Sequence, residues 1–446
     1  MGVCAIVLAA GKGTRMKSEL PKVMHPLGGC PMLSYVLEAI KDSGISKTTV
    51  VTSKESSEPI EKLGSFSTVV QKEQLGTAHA VLSAAEHFKD GTDDVLVLCG
   101  DVPLLRPETL KALVEKRQAT PKPSIVVLAM EVPPPHEYGR LVLNDAGEVT
   151  HIVETKEATS EQKKICLCNA GIILIDGSVA LSLLQEIKNE NTKGEYYLTD
   201  IIAIAQERGL KCDYVTVAEK EVHGINSRAD LAQAERILQT QWRRDAMSAG
   251  ATLRAPETVY FSFDTKLGKD VTIEPNVVFE PGVLVEDNVT IRAFSHIGGA
   301  TIKKGAIVGP FARIRPKTVI GPNARVGNFG EIKNTQLEKG AKANHLSYVG
   351  DAFVGEGANI GAGTITCNYN GFYKSQTHIE AGVFIGSNAS LIAPLTVSKG
   401  AIVGAGSVVT KNIPENDMAV ARADQKNVAG GAEKYRQSQK SKSGKD

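Results

Sequence analysis

Charge of one sign is missing from this 446-residue chain: 51 basic side chains stand against 50 acidic ones, a net charge of +1. A duplex-binding surface needs an excess of positive charge to displace counterions from phosphates, so the balance argues against nucleic acid as a partner. Long apolar runs are missing too. The stretch from Val3 to Ala10 is too short to span a membrane, has no basic region before it and enters a glycine-rich turn, so it reads as a buried strand. No membrane association and no export signal are expected. The seven cysteines (Cys4, Cys30, Cys99, Cys166, Cys168, Cys212, Cys367) are odd in number and lack metal-ligand spacing, which predicts reduced thiols and a cytoplasmic protein. Cys166 and Cys168 would share one face of a strand, yet a bridge between them would be strained. Neither a P-loop nor a GxGxxG fingerprint is present.

What is there comes in two halves. A chain this long exceeds what one core serves. Over 1–226, short β-branched runs (4–8, 48–52, 68–71, 95–98, 124–130, 171–175) alternate with helical patterns (32–41, 78–87, 108–117, 198–208). That alternation marks an α/β, Rossmann-like domain with a mostly parallel sheet. A helical stripe at Leu231, Ala234, Leu238 and Trp242 predicts a linker helix within 227–249.

Over 250–432 the period becomes six. Aliphatic or aromatic anchors stand at Leu267, Ile273, Phe279, Val285, Ile291 and Ile297, and after a five-residue step at Ile302, Val308, Ile314, Ile320, Val326 and Ile332. The rhythm breaks between about 337 and 379, then returns at Ile379, Ile385, Leu391, Val397, Val403 and Val409. No helix places every sixth residue on one face, whereas a solenoid of short strands with a turn every six residues does. Gly298, Gly309, Gly321, Gly327, Gly386 and Gly404 follow anchors directly, where a turn needs positive φ or close backbone approach. The last stretch, 433–446, is rich in Lys, Ser and Gln and is expected to be a solvated, disordered tail.

Candidate chemistry gathers in both halves. Directly after the first strand comes LAAGKGTRM (8–16), in which Gly11 and Gly13 free backbone amides to face an anion while Arg15 and Lys22 add positive charge. Alone, such a turn is as readily structural as functional. The apolar run 95–98 ends in Cys99-Gly100-Asp101, and a carboxylate at the C-terminal end of a buried parallel strand suits Mg²⁺ bridging to nucleotide phosphates. By itself Asp101 would equally cap the following helix. In the second half, the segments NHLSYVGD (344–351) and NIGAGTITCNYNG (359–371) fall in the rhythm break, where loops leave a solenoid and carry function. An imidazole there can take a proton from an attacking amine, a role worth roughly 10²–10⁴-fold, and His345 is the candidate. Cys367 reads better as a small packed thiol than as a nucleophile.

LAAGKGTRM, LPK (20–22), QLGTAHA (74–80) and GDVPL (100–104) together resemble sugar-nucleotide pyrophosphorylases, and YGR (138–140), IVE (152–154), NAG (169–171) and GIN (224–226) resemble N-acetylglucosamine-1-phosphate uridylyltransferases. The 315–371 motifs are similar to the acetyltransferase half of the bifunctional uridylyltransferase/acetyltransferase family, so the resemblance runs from Val3 to Arg422. It implies a left-handed parallel β-helix of hexapeptide repeats for the second domain, a handedness that rests on the resemblance alone because ordinary crossover rules favour the right hand. It also implies synthesis of UDP-N-acetylglucosamine from glucosamine-1-phosphate, acetyl-CoA and UTP, through N-acetylglucosamine-1-phosphate, by a homotrimer. For the nucleotide and sugar it implies Leu8, Ala9, Gly11, Lys22, Gln71, Gly76, Thr77, Cys99, Gly100, Gly139, Glu154 and Asn169, with Mg²⁺ on Asp101 and Asn226 and charge stabilisation by Arg15 and Lys22. For acetyl transfer it implies His345 as base, oriented by Glu331, with Arg315, Lys333, Tyr348 and Asn359 on glucosamine-1-phosphate. Ala362, Asn368, Tyr369, Ser387, Ala405 and Arg422 would line the acetyl-CoA path. Two other readings stay open: a monofunctional pyrophosphorylase whose solenoid regulates or assembles it, and a non-enzymatic assembly protein of the same architecture.

Overall fold

The computed structural model describes residues 2–191 and 193–443. The chain divides into two compact units, Met1–Gln241 and Trp242–Asp446.

In the first unit the seven main strands of the sheet run in the order Cys212–Val217, Ile125–Glu131, Leu167–Ile175, Asp94–Cys99, Val3–Ala9, Lys47–Thr52, Ser67–Val70. Most neighbours are parallel, as the βα alternation predicts. Leu167–Ile175 is the exception, antiparallel to both of its neighbours. Its hydrogen-bonding continues into a small ribbon of Arg140–Leu143 and Val149–Val153. Val95, Leu96, Val97 and Leu98 are fully buried because helices cover both faces, so the strand has no polar alternation. Arg117, itself buried on the helix Pro107–Gln118, donates through Nη2 to Asp94 at 3.1 Å and Asp176 at 2.5 Å, pinning that helix to two strand ends. The helix Arg228–Ser248 is shared out between the units: Leu231, Ala234 and Leu238 pack with Leu27, Met32 and Ile225, and Trp242 and Ala246 with the second core.

The second unit is a parallel β-helix of three strand columns. Most coils take 17 or 18 residues, so Leu267 pairs with Val285 and Val285 with Ile302, while a longer one pairs Ile360 with Ile385. Every anchor named above except Leu267 is buried in one continuous core. Two glycines show why the sequence needs them. Gly309 sits at φ +96°, and a Cβ at Gly327 would run into the backbone carbonyl of Asn344 in the next coil.

The break expected between 337 and 379 is narrower than the sequence suggests. Val326 pairs with Ala343 and Ala343 with Ile360, so the coils continue with a small residue in the anchor position. Only the excursion around 368–376 leaves the prism, with Phe372 almost fully exposed. The stretch from 431 also differs from expectation: Gly431–Ser443 is a helix, wholly solvated, while 444–446 lie outside the described residues.

Candidate active sites

The first site opens at the C-terminal ends of the parallel strands, where α/β sheets bind ligands. Val3–Ala9 runs into the glycine turn, and Gly13, at φ +58°, would place a Cβ 2.7 Å from that of Lys22. That close approach seats Lys22. Its ammonium donates to Asp101 Oδ2 and, at 3.1 Å, to Asn226 Oδ1, partners 79 and 204 residues away in sequence. A carboxylate and an amide oxygen thus converge on one cation. Among the described residues no group of three His, Cys, Asp or Glu is set to hold a metal. Two oxygens are nonetheless what Mg²⁺ asks of a protein when phosphates and waters supply the rest, and the ammonium stands where a cation is already stabilised.

A cleft beside this triad is lined by Leu8, Ala9, Gly11, Lys22, Gln71, Gly76, Thr77, Cys99 and Asp101, among the residues the sequence singled out. Leu8, Thr77, Cys99 and Glu195 also line an adjoining cavity with Glu154 and Asn169, so the two pockets are continuous. Gly139 stands at the edge of this second cavity, where a Cβ would lie 3.5 Å from Glu154 Oε1. Gly100 is packed behind, its amide donating to Leu8 at 2.9 Å. Arg15 is exposed on the turn Thr14–Met16 and lines neither pocket. Burial pushes the Cys99 thiol up to about 12, with the Asp101 charge adding to it, so this side chain stays a neutral thiol against the ligand space.

No motif marks Glu157 or Glu195, which line the sugar cavity, or Asp200, which lies close enough to Glu157 and Glu154 to feel their charge. Burial first, and then the Glu157 charge, raise Glu154 above the usual carboxylate range. The same causes, burial, Glu157 and Glu154 in that order, raise Asp200 to about 6. Residues around Gly76 are stitched to this segment: Tyr196 donates to Leu75 at 2.8 Å, Ala78 to Tyr196 at 3.0 Å and Leu198 to Thr77 Oγ1 at 3.0 Å.

The second site lies on the β-helix. Asn328 and His345 pair across adjacent coils, and His345 Nδ1 meets Asn328 Oδ1 at 2.8 Å. An amide oxygen only accepts, so Nδ1 carries the proton and Nε2 keeps its lone pair for a substrate. The orienting partner expected from the sequence was Glu331; the structure instead pairs Glu331 with Arg315 at 2.9 Å and supplies Asn328 to the imidazole. Asn328 was findable, since stacked neighbours stand one coil, 17 or 18 residues, apart.

Glu331 and Tyr348 are paired on adjacent coils. Near them Asp351 is held by Asn334 Nδ2 at 2.6 Å and by Asn368 Nδ2, and Lys333 lies 4.0 Å away. Burial pushes the Asp351 carboxyl up, but these hydrogen bonds and the Lys333 charge outweigh it and hold it below the usual range. Lys333 in turn pulls Lys374 below the ordinary lysine range. Asn368 also reaches Tyr348 Oη at 3.5 Å. Asn359 lies on the coil after His345, its strand paired with Lys342–His345. Of the remaining positions, Ala362 accepts from Asn388 at 2.7 Å, Ser387 from Gly406 at 2.8 Å and Ala405 from Arg422 Nη1 at 2.6 Å, which strings them along successive coils. Tyr369 is exposed on the excursion.

Residues 5–165 match the MobA-like NTP transferase domain, and residues 264–299 match the bacterial transferase hexapeptide (six repeats). Those assignments agree with the nucleotidyltransferase sheet and the left-handed β-helix. Among curated relatives, the Bifunctional protein GlmU of Zymomonas mobilis subsp. mobilis is 47% identical over 442 residues, covering 98% of each chain. That of Paramagnetospirillum magneticum is 49% identical over 443 residues (99% of this chain, 98% of the relative), and that of Rhodopseudomonas palustris 49% over 436 (97% and 96%). Identity of this order runs through both units and nearly from end to end, and the chain belongs to the bifunctional GlmU family.

Proposed function

We propose that the chain makes UDP-N-acetylglucosamine in two steps, acetylating glucosamine-1-phosphate with acetyl-CoA on the β-helix and then transferring UMP from UTP to N-acetylglucosamine-1-phosphate in the first unit, releasing pyrophosphate. The observation that carries this reading is the convergence of Lys22, Asp101 and Asn226 on one point beside two continuous pockets.

In the second reaction the sugar-phosphate oxygen attacks the α-phosphorus of UTP in line and pyrophosphate leaves, with no covalent enzyme intermediate. Such transfers ask a protein mainly for positioning and charge stabilisation. Lys22 supplies the cation, Gly11 and its neighbours the backbone amides, and Glu154 and Asn169 the polar contacts to the sugar. Asp101 and Asn226 would hold Mg²⁺, which when bound neutralises charge on the phosphates. Arg15, exposed beside the turn, is free to reach the outer phosphates of a bound nucleotide.

In the first reaction the sugar amine attacks the thioester carbonyl, and the free lone pair of His345 Nε2 takes the amine proton while Asn328 holds the ring. Arg315 and Lys333 face the sugar phosphate with Tyr348 and Asn359, and Glu331 keeps the Arg315 guanidinium in place. Acetyl-CoA would run along Ala362, Asn368, Tyr369, Ser387, Ala405 and Arg422.

We assign a homotrimer to the second unit. Phe294, Phe311 and Phe329 stack on successive coils with centroids 4.9 and 5.2 Å apart, all about half exposed and all at positive φ. Leu346, beside His345, carries on the same corner at φ +49°. Bulky side chains in that conformation are outliers, and an apolar ladder held open to solvent suits a neighbouring copy. Dependence on UTP and acetyl-CoA, with no disulfide framework to maintain among the described residues, supports a cytoplasmic enzyme.

Two variants of the full chain test the division. Asp101→Ala should cut pyrophosphate release by about 100-fold or more while CoA release stays within about twofold. His345→Ala should do the reverse, by roughly 10²–10⁴-fold. Joint loss of both activities in a folded variant, or joint retention, would contradict it.

A further inference from the structure

Gln71, only 5% exposed, lines the nucleotide cleft directly after the strand Ser67–Val70. Its side-chain nitrogen stands 3.3 Å from the carbonyl oxygen of Gly76 and 3.1 Å from Nδ1 of His79. A carbonyl cannot donate, so the group facing Gly76 must be the NH₂ end of the amide. That orientation sends the second N–H to His79, whose Nδ1 must then present a lone pair, with the ring proton on Nε2. Both donors of Gln71 are spent. Its oxygen has no hydrogen-bond partner among the described residues and is the one function left to offer a ligand in the cleft.

We propose that His79 is a positioning residue that locks the Gln71 amide with its oxygen toward the base, making the cleft select a pyrimidine whose ring nitrogen carries a proton. Uracil presents N3–H to such an acceptor and forms a hydrogen bond. Cytosine presents a bare N3, which sets lone pair against lone pair and leaves the buried oxygen unpaired. Polar groups desolvated without a partner reject a ligand far more strongly than a small difference in shape does. The contact to Gly76 is long, and alone it would hold the amide weakly. His79 is itself fixed on the helix Thr77–Ser83, where its own carbonyl accepts from Ser83 Oγ at 2.9 Å. This inference rests on the nucleotidyl-transfer reading above and adds the means by which the base is told apart.

The test compares kcat/KM for UTP and CTP in the full chain and in His79→Ala and His79→Asn. An asparagine oxygen can take the place of Nδ1 as acceptor, so His79→Asn should keep most of the preference. His79→Ala should lower the UTP-over-CTP ratio by about tenfold or more, with acetyl transfer by the β-helix unchanged. An unaltered ratio in His79→Ala, or equal loss in His79→Asn, would overturn the role given to His79. Failure of the unaltered chain to use either nucleotide would instead sink the nucleotidyl-transfer reading, and this inference with it.

Discussion

Asp200 is the residue on which pH should act most clearly. Its carboxyl is raised from the ordinary 3.8 to about 6 by burial and by Glu157 and Glu154. A raised carboxyl means that the folded chain binds the proton more tightly than the unfolded one. The resulting stability is full below the unfolded value, is lost as pH rises through about 6, and above that the ionised group is a net cost. Asp200→Asn should therefore raise the melting temperature more at pH 8 than at pH 5. Because the group is only half-buried, solvent screening reduces the effect to about 1 kcal/mol, or roughly 2–4 °C for a unit of this size. Thermal scans at the two pH values check it; a larger gain at pH 5, or none at either, would refute the account. Residues of this kind were not legible in the sequence. Glu157, Asp200 and Glu195 sit in no motif, and only folding brings the 154–200 segment against the sugar pocket. Lys22, Asp101 and Asn226 were legible because motifs mark them separately, although nothing in their spacing says that they meet. Asn328 was missed for a simpler reason: the glutamate three residues later is the more conspicuous partner for an imidazole, and a coil-length offset was needed to see the amide.

At the scale of elements, the six-residue rhythm made the β-helix readable, since burial of every sixth side chain is a local property of the chain. It stopped being readable where Ala343 takes the anchor position, a residue too small to stand out in sequence yet fully buried between Val326 and Ile360. Sheet order in the first unit was hidden altogether. The antiparallel Leu167–Ile175 enters between Ile125–Glu131 and Asp94–Cys99, a choice made by long-range packing. Stacking of coils yields a prediction of its own. Gly327→Ala should cost about 2 kcal/mol or more, because the new Cβ meets the Asn344 carbonyl and neither coil can yield. Gly340, at φ +69° with nothing within 4 Å, should cost only about 1 kcal/mol on the same change. Denaturation of the two variants side by side decides it, and equal losses would mean that backbone conformation, not coil contact, fixes these glycines. Since Asn344 precedes His345, Gly327→Ala should also impair acetyl transfer.

At the scale of the whole molecule, one chain runs two chemistries in series, the β-helix preparing the sugar that the first unit activates. The halves were told apart in sequence because their periods differ, and family membership covers both. No helix among the described residues is long and apolar enough to cross a membrane. The claim is tested most directly by giving the purified full chain glucosamine-1-phosphate, UTP and Mg²⁺, with and without acetyl-CoA, and following CoA thiol and pyrophosphate separately. Thiol should appear first and pyrophosphate after a lag, with none when acetyl-CoA is left out unless N-acetylglucosamine-1-phosphate is supplied. Pyrophosphate released from glucosamine-1-phosphate without acetyl-CoA, or thiol release that never leads to pyrophosphate, would contradict it.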